Sequence, residues 1–161
     1  VTKALADLLA SFAPLFMVVH FNHPREITPE AKKALKHLSD AGIPLGNQSV
    51  LLKDVNDDAE TIRELCWELM KCHVRPYYLH QGDLVKGTDH FRTQVEKGLE
   101  IIQTLRGTLS GLAIPQFVID APGGGGKVPL LPQDGQRVLP EEVLLKNCEG
   151  ELVRYPQRNK S

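Results

Sequence analysis

Apolar positions along this 161-residue chain switch repeatedly between two periods. Short continuous apolar runs, the mark of strands buried in a parallel sheet, alternate with stretches in which apolar residues recur at helical spacing. Ala4–Phe12 predicts a short helix and Phe16–Phe21 a buried strand. Thr28 is placed to cap a helix that starts at Pro29, where the missing N–H costs nothing; it runs to about Asp40 and Gly42 ends it. Pro44–Leu52 holds a second strand. Asn56, Asp57 and Asp58 open the next helix, in which Ile62, Leu65, Cys66 and Leu69 make one apolar face. Val74–His80 reads as the third strand, and Thr93 as the cap of a helix with Val95, Leu99 and Ile102 inward, ending near Gly107. Ile114–Ile119 is the fourth strand, and Val143–Asn147 with Glu151–Tyr155, joined through Glu149-Gly150, reads as a hairpin.

Strand–helix units with short connections place parallel strands side by side with helices outside. The predicted class is α/β: a section of an open or closed (β/α) barrel with a small C-terminal β hairpin. Such a section leaves two unpaired strand edges. In this architecture the loops after the strands share one face, and that face carries the site.

Composition narrows the functions. A formal net charge of −1, with no basic stripe and no run of like charge, argues against nucleic acid. No stretch has the length of a membrane span, and Val1–Ala10 is too short and too charged for a signal peptide. Three cysteines fit a reducing cytoplasm rather than a disulfide scaffold. Cys66 and Cys72 point to different sides of one helix and are no zinc pair, and Cys148 stands alone. The chain lacks an initial Met and opens inside a helix, so a part of a longer protein is expected.

The densest chemistry is Asp120-Ala121-Pro122-Gly123-Gly124-Gly125-Gly126-Lys127, directly after the fourth strand. Four glycines remove every Cβ, so backbone N–H groups can approach a bulky or anionic ligand that the lysine also reaches. A phosphate-binding P-loop would need glycine at Ala121 and Ser or Thr at Val128. A dinucleotide fingerprint would need a following helix, which Pro129 and Pro132 block. A lysine that holds pyridoxal phosphate through its amine remains, beside the plain alternative of a glycine hinge with a solvated lysine. Asp83 and Asp120 each read as following a strand, so a barrel would let the two carboxylates converge; taken alone they are equally ordinary surface aspartates. His20 and His23 cannot pair on a metal from one strand, since i and i+3 face opposite sides. Trp67, Tyr77 and Tyr78 read as core or pocket wall, and His80, near Asp83, has no assigned role.

These pieces stand in order with several others. They are His20-Phe21-Asn22-His23-Pro24, the run from Gly42 to Leu52, Arg75-Pro76-Tyr77-Tyr78, Asp83, His90-Phe91-Arg92-Thr93, Leu105-Arg106-Gly107, Ser110-Gly111 and Asp120 to Lys127. Together, from about Phe16 to about Tyr155, they resemble the lysine 2,3-aminomutase family of radical S-adenosylmethionine (SAM) enzymes. The resemblance implies the C-terminal half of a partial (β/α) radical SAM barrel. Residues 1–132 would form its second half with the cofactor-lysine loop, and residues 133–161 a truncated C-terminal β extension. It implies an isomerase that interconverts L-lysine and β-lysine with a 5′-deoxyadenosyl radical, pyridoxal phosphate and a [4Fe–4S] cluster.

The resemblance also implies residue roles. Lys127 would be the catalytic residue that carries pyridoxal phosphate, His20 and Gln48 would contact SAM, and Asp83 and Asp120 would bind the distant amino group of the substrate. A doubly acidic pocket holds an ammonium by charge-assisted hydrogen bonds and rejects a carboxylate. The cluster's C-x-x-x-C-x-x-C motif and the arginines for the cofactor phosphate would lie upstream of Val1. No metal ligand is therefore expected in this chain, and the chain alone is expected to be inactive. The family's zinc loop has a cysteine where Asp58 stands here, which leaves zinc open. The implied partners are free L-lysine, an electron donor such as flavodoxin or ferredoxin, and further copies in a homo-oligomer, with neither nucleic acid nor membrane. Two alternatives stay open: a related mutase whose lysine product modifies a protein such as a translation factor, and a non-catalytic pyridoxal- or phosphate-binding module.

Overall fold

The computed structural model describes residues 1–132, 137–139, 141–146 and 150–156. Cys148 and the Asn147 and Glu149 of the expected hairpin lie outside the described residues. The first sheet is built from β1 (Met17–His20), β2 (Leu45–Leu51), β3 (Val74–Gln81), β4 (Gln116–Ala121) and β5 (Gly126–Pro129). Their spatial order is β1-β2-β3-β4-β5, with β1 to β4 mutually parallel and β5 antiparallel to β4. Helix α1 (Lys3–Ala10) precedes β1, and α2 (Pro29–Asp40), α3 (Ala59–Lys71) and α4 (Val95–Thr108) make the three crossovers. A second sheet holds β6 (Arg137–Val138), β7 (Glu142–Lys146) and β8 (Leu152–Pro156), each antiparallel to its neighbour. No helix among the described residues is long and apolar enough to cross a membrane.

Local sequence explains most helix ends. The Thr28 hydroxyl accepts the Ala31 N–H at 3.3 Å with Pro29 at the first helical position, and Gly42 beyond the other end of α2 takes φ of +80°. In α3 the buried residues are Ile62, Leu65, Cys66 and Leu69, as their spacing predicts. Trp67 falls off that stripe and is 55% exposed, a correction to its reading as core. A further correction concerns α4, where Gln94 rather than Thr93 sits at the N-cap, the Thr93 carbonyl being taken by the Gln81 side-chain amide at 2.8 Å; the helix ends at Thr108, next to the expected Gly107.

The helices cover one face of the sheet. Leu45 and Val74 pack with Leu35, Leu38, Leu65 and Leu69, while Leu51, Leu79 and Phe117 pack with Ile62, Ile101, Ile102 and Leu105. Along β2 the burial alternates strictly, with Leu45, Asn47, Ser49 and Leu51 inward and Gly46, Gln48 and Val50 on the more open face. Val18 and Tyr77, on that side of the flanking strands, are 51% and 42% exposed. The sheet keeps two unpaired edges, at β1 and at β5; strand β5 covers the outer side of β4 from Val118 to Ala121 and is itself the second edge.

Gly98 marks the tightest helix–sheet contact. A Cβ there would stand 2.2 Å from Cζ of Phe117, a ring only 1% exposed. Gly98→Ala is expected to destabilise the intact protein by about 1–3 kcal/mol from overpacking, more than the roughly 1 kcal/mol that alanine's helix propensity returns. A thermal melt checks it, and a melting temperature at or above wild type would show that the ring has room to move.

Candidate functional site

The site is built on the β4–β5 pair. Asp120 and Lys127 are register partners, and the turn between them is possible because Gly123, Gly124 and Gly126 hold φ of +71°, +81° and +78°. Lys127 Nζ donates to both carboxylate oxygens of Asp120, at 2.7 and 2.8 Å. This ammonium is the main cause that holds the Asp120 carboxyl below the usual carboxylate range. Both side chains are more than a third exposed, so solvent screens the pair and it contributes little to stability. Asp120 therefore lies inside β4 rather than after it, a correction of its expected place.

His80 joins this pair from β3. Its Nδ1 stands 3.4 Å from Asp120 Oδ2, and the residue is 9% exposed. Burial, then the Lys127 charge, pushes the imidazole below its ordinary value, while Asp120 and Asp83 pull the other way and His20 adds a small downward push. The Tyr78 ring meets His80 edge-on with centroids 5.5 Å apart, and Lys127 Nζ lies 6.0 Å from the Tyr78 centroid. The Tyr77 hydroxyl donates to that of Tyr78 at 3.0 Å. Both tyrosines reach this neighbourhood because the β2–β3 register shifts between Asn47 and Gln48, pairing Gln48 with Tyr78 rather than Tyr77.

A cleft of about 650 Å³ opens beside the pair, and Asp83 and Asp120 both line it. Gln81, Arg92 and Thr93 also line it. Two of these lining residues each carry a fully buried side-chain atom without a hydrogen-bond partner, Gln81 Oε1 and Arg92 Nε. His20 and Gln48 are register partners on β1 and β2, on the open face. By register Gln48 aligns with Tyr78 and Gln116, two strands and four residues from Asp120, on the order of 15 Å at the usual spacings, and His20 stands one strand further.

A buried amide network fixes the chain just after His20. Asn47, 1% exposed, accepts the Phe21 N–H at 2.8 Å and donates to the Phe21 carbonyl and to Ser49 Oγ. Asn22 Oδ1 accepts the Val50 N–H, and the fully buried Asn56 donates to the carbonyls of Asn22 and Val50 while accepting from Leu52. Sequence reading gave no role to this network or to His80, and took Tyr78 only as core or pocket wall. The signal available was polar residues inside otherwise apolar strand blocks, whose buried groups must find partners.

Other residues serve the fold. Asp58 caps α3, accepting from Thr61 N and Oγ1 at 2.8 and 2.7 Å, which lowers its carboxyl. Burial pushes the Cys66 thiol up to about 12, inside the α3 core stripe, and Cys72 at the end of the helix is raised for the same reason. No group of three or more potential metal ligands is found among the described residues.

Consecutively ordered parallel strands, helices on one face, and polar side chains gathered towards the strand ends define the class: an α/β fold of the kind seen in radical SAM proteins. A radical SAM methyltransferase from Sphaerobacter thermophilus shares it with a TM-score of 0.56 over 74% of this chain and 38% of that one, at 18% identity, a likeness of fold. The lysine-2,3-aminomutase family model matches residues 102–161. The L-lysine 2,3-aminomutases of Fusobacterium nucleatum and Clostridium subterminale are 50% and 49% identical over 157 residues, covering 98% of this chain and 37% and 38% of theirs. The glutamate 2,3-aminomutase of Clostridioides difficile is 47% identical over 154 residues, 96% of this chain and 36% of its own. The chain belongs to the lysine 2,3-aminomutase family. It spans somewhat over a third of the length of these curated relatives.

Proposed function

We propose that this chain is part of an L-lysine 2,3-aminomutase, an isomerase that moves the α-amino group of L-lysine to C3 and gives β-lysine. The observation that carries this reading is the pair of carboxylates, Asp83 and Asp120, lining one cleft beside Lys127. Two anionic groups suit the side-chain ammonium of lysine and repel the side-chain carboxylate of glutamate, which favours lysine over the glutamate substrate named for the Clostridioides difficile relative.

The sheet is the C-terminal half of a (β/α) barrel on this reading, formed by residues 1–132, with residues 133–161 as a β extension. The open face supports it. Parallel sheets are ordinarily covered on both sides, and here the helices cover one while the other presents His20, Gln48 and Asp120. The preceding part of the enzyme would close the barrel over that face.

The residues present fit pyridoxal phosphate. A Cβ added at Gly123, Gly124 or Gly126 would meet nothing within 4 Å, so this backbone edge is open to a flat ring and a phosphate, with Lys127 next in line. Lys127 would hold the cofactor through its amine, and the conjugated ring, when bound, supplies delocalisation of electrons from the substrate's α-carbon and nitrogen. Asp83 and Asp120 would fix the far end of lysine, and that anchoring sets which carbon faces the reacting groups. His20 and Gln48 would present polar groups to SAM, the source of the hydrogen-abstracting radical. Neither Cys66 in the core nor Asp58 in its capping role fits a cluster or a zinc ion, so no step is assigned to metal on these residues. Free L-lysine, a low-potential flavodoxin or ferredoxin, and a homo-oligomeric assembly complete the proposal.

The test is product analysis. The full-length protein, reconstituted with iron and sulfide, pyridoxal phosphate, SAM and a reductant, is expected to convert L-lysine to β-lysine and to leave glutamate essentially untouched. Turnover of glutamate without turnover of lysine would overturn the substrate assignment.

A further inference from the structure

We propose that His80 is a positioning residue that takes up the proton Lys127 must lose before its amine can bond to pyridoxal phosphate, with Asp120 as the carboxylate the two share. The inference rests on the proposed role of Lys127 and adds a group to it. An ammonium has no lone pair, and only the neutral amine attacks an aldehyde. As found, Lys127 Nζ donates to both oxygens of Asp120. Loading the cofactor therefore needs a nearby acceptor for one proton.

The groups that face this point come from four strands. They are His20 on β1, Tyr78 and His80 on β3 with Asp83 just beyond, Asp120 on β4 and Lys127 on β5, while β2 offers Val50, which does not titrate. Asp120 is held ionised by Lys127 and is a poor final acceptor. Tyr78 in its ordinary form is already protonated. Among the side chains here, His80 is the one other than Lys127 that meets the Asp120 carboxylate, at 3.4 Å from Oδ2, and imidazole is the side chain whose ordinary titration lies near neutrality.

The charges balance. Ammonium, carboxylate and neutral imidazole sum to zero, and so do amine, carboxylate and imidazolium. One N–H bond at Lys127 Nζ breaks and one imidazole N–H bond forms; the imidazolium Nδ1–H then faces the Asp120 oxygen that the ammonium gives up. The electrostatics favour the exchange in sequence. The Lys127 charge is one of the two main influences keeping His80 neutral, and it vanishes as the proton leaves, while Asp120 and Asp83 remain to hold the imidazolium. The C=N bond to the cofactor can then form as the aldehyde oxygen departs as water.

The experiment uses full-length protein stripped of cofactor. Pyridoxal 5′-phosphate is added over a pH series, attachment is followed by absorbance, and samples are trapped with borohydride and mapped to Lys127 by mass spectrometry. His80→Gln can still face Asp120 but cannot carry the proton. It is expected to slow attachment at neutral pH at least about tenfold and to recover towards the wild-type rate in alkali, where solvent removes the lysine proton. A loss of equal size at every pH, or an unchanged profile, overturns the proposal. A second measurement does not depend on that variant. The imidazole titration of His80, followed by NMR in cofactor-free protein, is expected to move upward in Lys127→Met and downward in Asp120→Asn. No movement in either overturns the coupling. Failure to attach pyridoxal phosphate at Lys127 in wild type at any pH would instead overturn the proposed cofactor role itself.

Discussion

Asp83→Lys and Asp120→Asn are each expected to lower kcat/KM for lysine by at least about tenfold, and the double variant to lose most discrimination against glutamate. The two carboxylates line one cleft of about 650 Å³, so a lysine side chain entering it meets both. Losing one charge-assisted contact to an ammonium exceeds the loss of a neutral hydrogen bond, and Asp83→Lys adds a like charge on top. Asp120 has a second partner that Asp83 lacks, because it also binds Lys127. Its replacement therefore changes the cofactor lysine as well as the substrate pocket. The comparison must be made at matched pyridoxal occupancy, with lysine and glutamate measured in wild type, both singles and the double. If lysine turnover in both singles stays within about twofold of wild type, the carboxylates do not bind the substrate's ammonium.

What could be read without coordinates follows from how local each determinant is. Helix α2 is announced by Thr28-Pro29, because capping and the proline constraint act within four residues. The buried stripe of α3 is a matter of helical spacing alone. Strand β5 has no such signal. Its Gly126 and Pro129 carry little strand preference, and it forms because Gly126–Pro129 can pair with Val118–Ala121 across a turn whose positive φ angles favour glycine. The Asp120–Lys127 contact is a consequence of that register, and a seven-residue separation in sequence does not reveal it.

His80 illustrates the same limit. Its partners follow from two strand registers at once, which align Val50, His80 and Val118 and leave Asp120 one pleat further along β4. A bulge that inserts Tyr77 resets the first of them. At the start of α4, Thr93 has the chemistry of a cap, but the long-range Gln81 amide binds it first. Non-local hydrogen bonds thus override local preference where the cleft is built, and sequence reading weakens there for that reason.

Borohydride reduction of the intact, pyridoxal-loaded enzyme is expected to leave a pyridoxyl tag on Lys127, and Lys127→Arg to abolish the tag while leaving the fold in place. Lys3 and Lys36 pair with Asp7 and Asp40 along their own helices, and Lys32 and Lys71 share Glu68 on the helical surface. None of these adjoins an open stretch of glycine backbone. Lys127 adjoins both that backbone and the cleft, and its present partner is half-exposed and weakly held, so the amine can be withdrawn at small cost. Arginine keeps the charge and can bind Asp120 through its own fork, so Lys127→Arg should melt like wild type. It cannot form the covalent link, and turnover should fall at least about a hundredfold, the scale expected when a reacting group loses its fixed position. The comparison separates chemistry from folding: a tag on Lys3, Lys86 or any other lysine, or turnover in Lys127→Arg close to wild type, would remove Lys127 from the mechanism and return the glycine segment to a structural turn.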